Sequence, residues 1–316
     1  MADAREPLPA RPRRLFDRPY LLLTLAVAFW AGNFVLGRAV RDVVPPVTLA
    51  FWRWALASLV VSPVALPRLR AAMPVVRAHA GLIVALSFLG ITVFNTLIYL
   101  GLHSTTAVNA VLLQSLMPVA IVLLAMALDG ARLRPVQTVG IALSLTGAVW
   151  VLVRGDLTVL AGLRLAPGDG LVLIAVLSYA AYSVLLRRRP ALDPFVFLWV
   201  TFVLGMLMLA PAFAVEWLTG PPVHFGLAAL ASFAYVGIFP SVLSFLFFNR
   251  GVELVGPERA GLFIHLMPVF GSVLSVALLG EAVRPYHAVG IVAILAGIGL
   301  ATRTSPQRRI TSVTKK

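Results

Sequence analysis

Residues 116–147 read LMPVAIVLLAMALDGARLRPVQTVGIALSLTG, and residues 266–297 read LMPVFGSVLSVALLGEAVRPYHAVGIVAILAG. The two segments lie 150 residues apart and share 15 of 32 positions without a gap. Leu116-Met117-Pro118-Val119 returns as Leu266-Met267-Pro268-Val269, and Arg134-Pro135 returns as Arg284-Pro285. A repeat of this length constrains the whole fold, because each copy is one structural unit of the same kind.

Composition says what those units are made of. The chain has 316 residues, 60% of them hydrophobic and only 12% charged, with a mean hydropathy of +0.96. Soluble domains carry about 25% charged residues, so most of this surface meets something other than water. Apolar runs of about 20 residues recur, each long enough to cross a hydrocarbon layer of about 30 Å as a helix. They are too long, and alternate too little, for barrel strands. In lipid a helix satisfies its own backbone hydrogen bonds.

The pattern predicts ten helices, near residues 20–38, 46–66, 80–101, 106–128, 135–153, 169–186, 194–215, 226–249, 257–279 and 285–302. Pro46, Pro135, Pro194 and Pro285 stand at their starts, where a missing N–H costs little. The reading divides the chain into a tail at 1–18, a five-helix repeat at 19–154, a linker at 155–168, a second repeat at 169–302 and a basic tail at 303–316. Basic residues set the orientation. With the N-terminus in the cytoplasm, 20 of the 26 Lys and Arg fall in inside segments and five outside, with Arg53 inside a helix. Both termini are then cytoplasmic. Because five is odd, the two repeats enter the membrane in opposite senses. The expected fold is therefore all-α and integral to the membrane, with ten transmembrane helices in two inverted repeats, as in many secondary transporters.

The net charge of +14 would suggest nucleic acid in a soluble protein. Here the basic residues occupy short loops and tails, so nucleic acid is not an expected partner. Cysteine is absent, which removes disulfide and thiolate chemistry. His79, His103, His224 and His287 are scattered, so neither metal nor cofactor is expected. An integral membrane enzyme would need a nucleophile with a base, paired acids or a metal cluster, and no such set stands out. The expected partners are a small-molecule substrate and the lipid bilayer, with the chain a monomer or homodimer.

Several stretches together resemble the EamA family of the drug/metabolite transporter superfamily. They are FWAGNFVLGRA (29–39), FWRWALASL (51–59), NTLIYLGLHSTTAVNAVLLQSLMPV (95–119), GDGLVLIAVLSYAAYSVLLRR (168–188) and the second copy of the repeat. The likeness covers nearly all of residues 20–302 and extends to bacterial aromatic amino-acid exporters. It implies two inverted five-helix bundles in the bacterial cytoplasmic membrane, exporting small metabolites such as amino acids, nucleosides or drugs. It also implies a cavity formed chiefly by helices 1, 3, 4, 6, 8 and 9, with helices 5 and 10 at the periphery. One departure is clear: Ala131 stands where the second copy has Glu281.

Candidate site residues are the polar and aromatic groups inside apolar helices, where they are costly unless used or paired. Trp30 and Asn33 share a face of helix 1, and Tyr179 and Tyr182 are their counterparts on helix 6. Asn95 and Tyr99 share a face of helix 3, while Gln114 and Ser115 lie on helix 4. Lipid contact or packing would also explain the aromatics of helices 1 and 6, and interhelical hydrogen bonding the groups of helices 3 and 4. Arg53 would either hold a substrate carboxylate or run its head to the outer interface. His265, the counterpart of Ser115, would be a packing residue, a substrate ligand or a group titrating near neutrality. Pro118 and Pro268 would bend helices 4 and 9 as matched hinges, with Asn249 beside Arg250 at an inner gate. No carboxylate falls at a helix centre, which leaves a membrane-embedded acid relay unsupported.

Overall fold

In the computed structural model, residues 15–40, 44–220, 226–279, 282 and 284–302 are described. Their apolar runs form ten helices: α1 (Pro19–Val40), α2 (Pro46–Ala78), α3 (Ala80–Ser104), α4 (107–129), α5 (Pro135–Leu152), α6 (Pro167–Arg188), α7 (Pro194–Thr219), α8 (227–255), α9 (257–279) and α10 (Pro285–Thr302). Among the described residues there is no strand. Eight helices are long and apolar enough to cross a membrane, and α1 adds a shorter apolar stretch, Pro19–Asn33. Glu281 and the C-terminal tail lie outside the described residues, as does the N-terminal tail up to residue 14.

Equivalent helices of the two repeats run antiparallel, which is the geometric form of the inversion. Along α2 and α7, Phe51 stacks on Phe213 at 4.0 Å, Trp199 donates to Ser62 at 2.8 Å, and Arg68 pairs with Asp193 at 2.9 Å. Along α5 and α10, Gly140 meets Gly297 and Gly147 meets Gly290, each backbone against backbone. Lipid tails are as apolar as the side chains, so helices here gain from close contact rather than from leaving water. Small residues at these four positions permit that contact. The outward faces keep Val139, Val289, Val292 and Leu295 exposed. Helices 5 and 10 are therefore peripheral on one face and a repeat-to-repeat seam on the other.

The repeat also duplicates a helix start with different chemistry. Gln137 Oε1 accepts from the Arg134 backbone N–H at 2.9 Å, and His287 Nδ1 accepts from the Arg284 N–H at 3.0 Å. Each satisfies a donor that the first helical turn leaves over. At the end of α4, Gly130 takes a left-handed conformation at φ 63°, which glycine adopts without a side-chain clash.

Two boundaries differ from the sequence reading. The second helix does not stop near residue 66 but continues through Pro67 and Pro74 to Ala78, 33 residues in all. That is about 50 Å of helix, more than the bilayer core requires, so its basic end, with Arg68, Arg70 and Arg77, extends past the hydrocarbon. The expected linker contains a helical turn, Thr158–Ala161. Asp156 accepts from the Thr158 hydroxyl and amide just before it, which holds this carboxyl below its ordinary value.

Candidate functional site

Helices α3 and α8 each widen into a π-helical segment at equivalent places, Phe88–Val93 and Ile238–Leu243. Such segments are rare and concentrate at functional sites. In α8 the segment holds Pro240, which has no N–H to offer the ladder. Its carbonyl instead accepts from Trp30 Nε1 and Arg53 Nη2, both at 3.0 Å. The next residue, Ser241, accepts from Arg53 Nε at 2.6 Å and donates to the Val236 carbonyl.

Arg53 is only 1% exposed, so its head turns into the bundle rather than out to the interface. Nη1 donates to Asn95 Oδ1 at 3.0 Å and to the Tyr99 hydroxyl at 3.2 Å. The guanidinium carbon lies 4.8 Å from the Trp54 ring centre, a cation–π contact. Tyr99 passes the chain on to Asn33 Oδ1 at 3.4 Å. Every one of these partners is neutral. Aligning Pro46 with Pro194 and Pro63 with Pro211 puts Thr201 opposite Arg53 in the second repeat. The buried cation therefore breaks the symmetry.

Next to it lies an aromatic cluster shared by both halves. Tyr179 contacts Phe94 at 4.6 Å, Trp30 edge-on at 5.7 Å, Tyr182 at 5.3 Å and Phe248 at 5.8 Å. Phe245 lies between Tyr179, Tyr182 and Trp54. Tyr182 donates to Asn249 Oδ1 at 2.9 Å. This bond is the mirror of Tyr99 with Asn33: Asn33 corresponds to Tyr182, and Tyr99 to Asn249. The same Tyr–Asn bridge links helices 1 and 3 in one repeat and helices 6 and 8 in the other, with the residue types exchanged.

Satisfaction is incomplete. The Tyr179 hydroxyl, Asn95 Nδ2, Asn249 Nδ2, Trp54 Nε1 and Gln114 Nε2 are buried without a hydrogen-bond partner. An orphaned buried polar group costs about 1–3 kcal/mol. Tyr179→Phe is therefore expected to leave the melting temperature unchanged or higher. Tyr182→Phe, which strands Asn249 Oδ1, should destabilise by about 1–2 kcal/mol. Thermal unfolding in detergent checks both, and a large loss of stability in Tyr179→Phe alone would contradict the assignment.

His265 and Ser115 belong to a different cluster. His265 Nε2 meets the Ser115 carbonyl at 3.0 Å, and Nδ1 meets the Ser144 hydroxyl at 2.8 Å. Ser115 lies where α4 breaks, and His265 lies in a 3-10 turn of α9, Phe263–Leu266. These two counterparts thus touch each other where the halves cross. Pro118 and Pro268 stand second in the helices that resume at Met117 and Met267, just after those breaks. The irregularity precedes each proline, because its ring crowds the carbonyl four residues back. Neither His265 nor Ser115 bonds to the Arg53 cluster, and Gln114 stays buried beside the break.

The two ends of the bundle differ. At the end where α3 finishes and α6 starts, Asp169 is buried and accepts from Thr105, from Asn109 at 3.0 Å and from the Ala166 amide at 2.8 Å. At the opposite end are all the ion pairs among the described residues. Asp129 meets Arg187 and Arg188, and Arg68 meets Asp193, each pair joining one repeat to the other, while Asp17 of the tail meets Arg250 of the second repeat. Arg189 with Glu253, and Arg187 with Glu258, add pairs within the second repeat. This is the arginine-rich end.

Seven residues of this cluster are among the sequence candidates, by polarity, aromatic character or repeat symmetry: Trp30, Asn33, Arg53, Asn95, Tyr99, Tyr179 and Tyr182. Sequence reasoning placed Asn249 at a gate, and in the structure Asn249 Oδ1 accepts from Tyr182. It missed Trp54, Pro240, Ser241, Phe245 and Phe248. The i, i+3 spacing of Phe245 and Phe248, followed by Asn249, was the available signal for one shared face of α8. The bonded cluster draws on a partly different set of helices from the implied cavity. Helix α2 supplies the cation, while α4 and α9 supply none of the bonded cluster.

A polar, aromatic centre between two antiparallel helical repeats in an apolar chain defines a multi-pass membrane transporter. The EamA-like transporter family matches residues 18–153 and 166–303, one match per repeat, and this chain belongs to it. It is 26% identical over 284 residues to an uncharacterized transporter of Bacillus subtilis (strain 168), covering 88% of this chain and 92% of that one. It is 28% identical over 291 residues to a probable terminal-alkyne amino-acid exporter of Streptantibioticus cattleyicolor, covering 91% and 94%. A solved crystal structure at 23% identity shares the fold, with a TM-score of 0.72 over 90% of this chain and 96% of that one.

Proposed function

We propose that this transporter exports small amphipathic metabolites bearing a carboxylate, amino acids and aromatic ones first among them, from the bacterial cytoplasm. The observation that carries this reading is Arg53: a buried guanidinium at the junction of the halves, bonded to neutral acceptors, beside an aromatic cluster. A carboxylate is a stronger acceptor than the amide and hydroxyl oxygens around it, and the planar guanidinium fits it with two parallel bonds. Flat apolar groups would pack among Trp30, Phe94, Tyr179 and Phe248. The relative named as a probable amino-acid exporter supports the substrate class.

Transport proceeds by alternating access between the two repeats. Opening at the arginine-rich end separates Asp129 from Arg187 and Arg188, Asp17 from Arg250 and Arg68 from Asp193. Exposed pairs contribute about 0–1 kcal/mol each, so thermal motion suffices to part them. The arginine excess supports a cytoplasmic position for this end and for both termini. The chain acts as a monomer or homodimer, with substrate and lipid as its partners and no nucleic acid.

Counterflow in proteoliposomes tests the reading. Phenylalanine, tyrosine or another small carboxylate inside should drive uptake of the labelled compound, while nucleosides and cationic drugs should not. Counterflow confined to nucleosides or drugs would replace this reading with the corresponding efflux carrier. A C-terminal reporter active outside the cytoplasm would overturn the orientation.

A further inference from the structure

We infer that this site recognises a carboxylate as an anion and, among the described residues, holds no counter-charge for an ammonium, so organic acids without an amino group bind it more tightly than the amino acids proposed above. This rests on the reading of Arg53 as the carboxylate anchor.

Unpaired donors outnumber unpaired acceptors in this cluster. The orphaned groups around the cluster are the N–H groups of Asn95, Asn249 and Trp54, together with the Tyr179 hydroxyl. The amide and carbonyl acceptors, by contrast, each already take at least one donor. Asn33 Oδ1 takes the Tyr99 hydroxyl, Asn95 Oδ1 takes Arg53, and Asn249 Oδ1 takes Tyr182. The Pro240 carbonyl takes two donors. A carboxylate brings strong acceptors to a place where N–H groups stand unpaired, and an ammonium brings three more donors.

Charge gives the same sign. Arg53 with a carboxylate makes a neutral pair, whereas Arg53 with a zwitterion leaves one net positive charge in a buried site. None of the described carboxylates answers it. Asp169 is the buried one, and it is bonded to Thr105, Asn109 and the Ala166 amide at the bundle end. Glu216 accepts from the Val47 and Thr48 amides at the start of α2, and Asp129 faces Arg187 and Arg188. Asp17, Asp193, Glu253 and Glu258 are paired with arginines at the opposite end, and Asp156 caps a loop turn. The faces of Tyr179 and Phe248 would attract an ammonium, but such contacts recover only part of its lost hydration.

Three probes with one ring separate the terms: 3-phenylpropionate, phenylalanine and phenethylamine. The full-length protein in detergent is titrated with each, following the shift in melting temperature. We expect 3-phenylpropionate to bind at least tenfold more tightly than phenylalanine, and phenethylamine to produce no shift. Tenfold corresponds to about 1.4 kcal/mol. Equal or tighter binding of phenylalanine would overturn the inference while leaving the carboxylate anchor standing. Phenethylamine shifting the melting temperature as much as either acid would instead overturn the anchor itself. Failure of both acids to bind would overturn both.

Discussion

Arg53→Met is expected to cut carboxylate transport by at least a hundredfold while leaving the melting temperature unchanged or raised. A hundredfold is about 2.7 kcal/mol, the scale of one or two hydrogen bonds to a charged group at about 1.5–3 kcal/mol each. Two opposing effects set the stability of this variant. Removing a buried, unpaired cation relieves a desolvation penalty of several kcal/mol. Against this, the stranded acceptors mostly keep other partners. The Pro240 carbonyl retains Trp30, Tyr99 still donates to Asn33, and Ser241 still donates to Val236. Only Asn95 loses its bond outright, at about 1–3 kcal/mol. Arg53→Lys keeps the charge but loses the fork geometry, and should fall between. Normal transport by a correctly folded Arg53→Met protein would remove Arg53 from the site. A melting temperature lowered along with transport would make it a structural residue.

The second large effect concerns the seam between repeats. A Cβ at Gly297 would lie 2.5 Å from the Gly140 carbonyl oxygen and 2.5 Å from the Ser144 amide nitrogen. Both are backbone atoms, so relief requires α5 and α10 to move apart. Gly297→Val should destabilise by about 3 kcal/mol, at the upper end for overpacking. Gly299, two residues on in the same helix, has nothing within 4 Å of an added Cβ. Gly299→Ala should therefore be neutral or stabilise by about 0.5–1 kcal/mol through helix propensity. Denaturation of the two purified variants reads the contrast directly. Equal stability of both would mean that the seam is not held at this crossing.

The repeat made most of the fold legible. Residues 116–147 and 266–297 announce two homologous units, and apolar run length makes those units helical and membrane-spanning. An odd helix count makes them opposed. The individual site residues were legible because a polar or charged side chain in an apolar helix has few options. It is bonded, it is used, or it reaches an interface. Sequence spacing could not choose among the three, since all put the same letter at the same place. Arg53 shows this: both a snorkelling head and a buried one fit FWRWALASL. Phe245 and Phe248 were hidden for the opposite reason, being apolar letters among other apolar letters.

The sequence alone determined an all-α membrane protein of two inverted repeats, because hydropathy, length and repetition are one-dimensional properties. The tertiary structure decided which atoms meet. It turned Arg53 inward onto Pro240 and Ser241, paired Tyr182 with Asn249 as the inverse of Tyr99 with Asn33, and set His265 against its own counterpart, Ser115. These contacts join residues 66 to 188 positions apart. Their distances depend on how helices cross and where they widen into π turns, which no local pattern in the chain encodes.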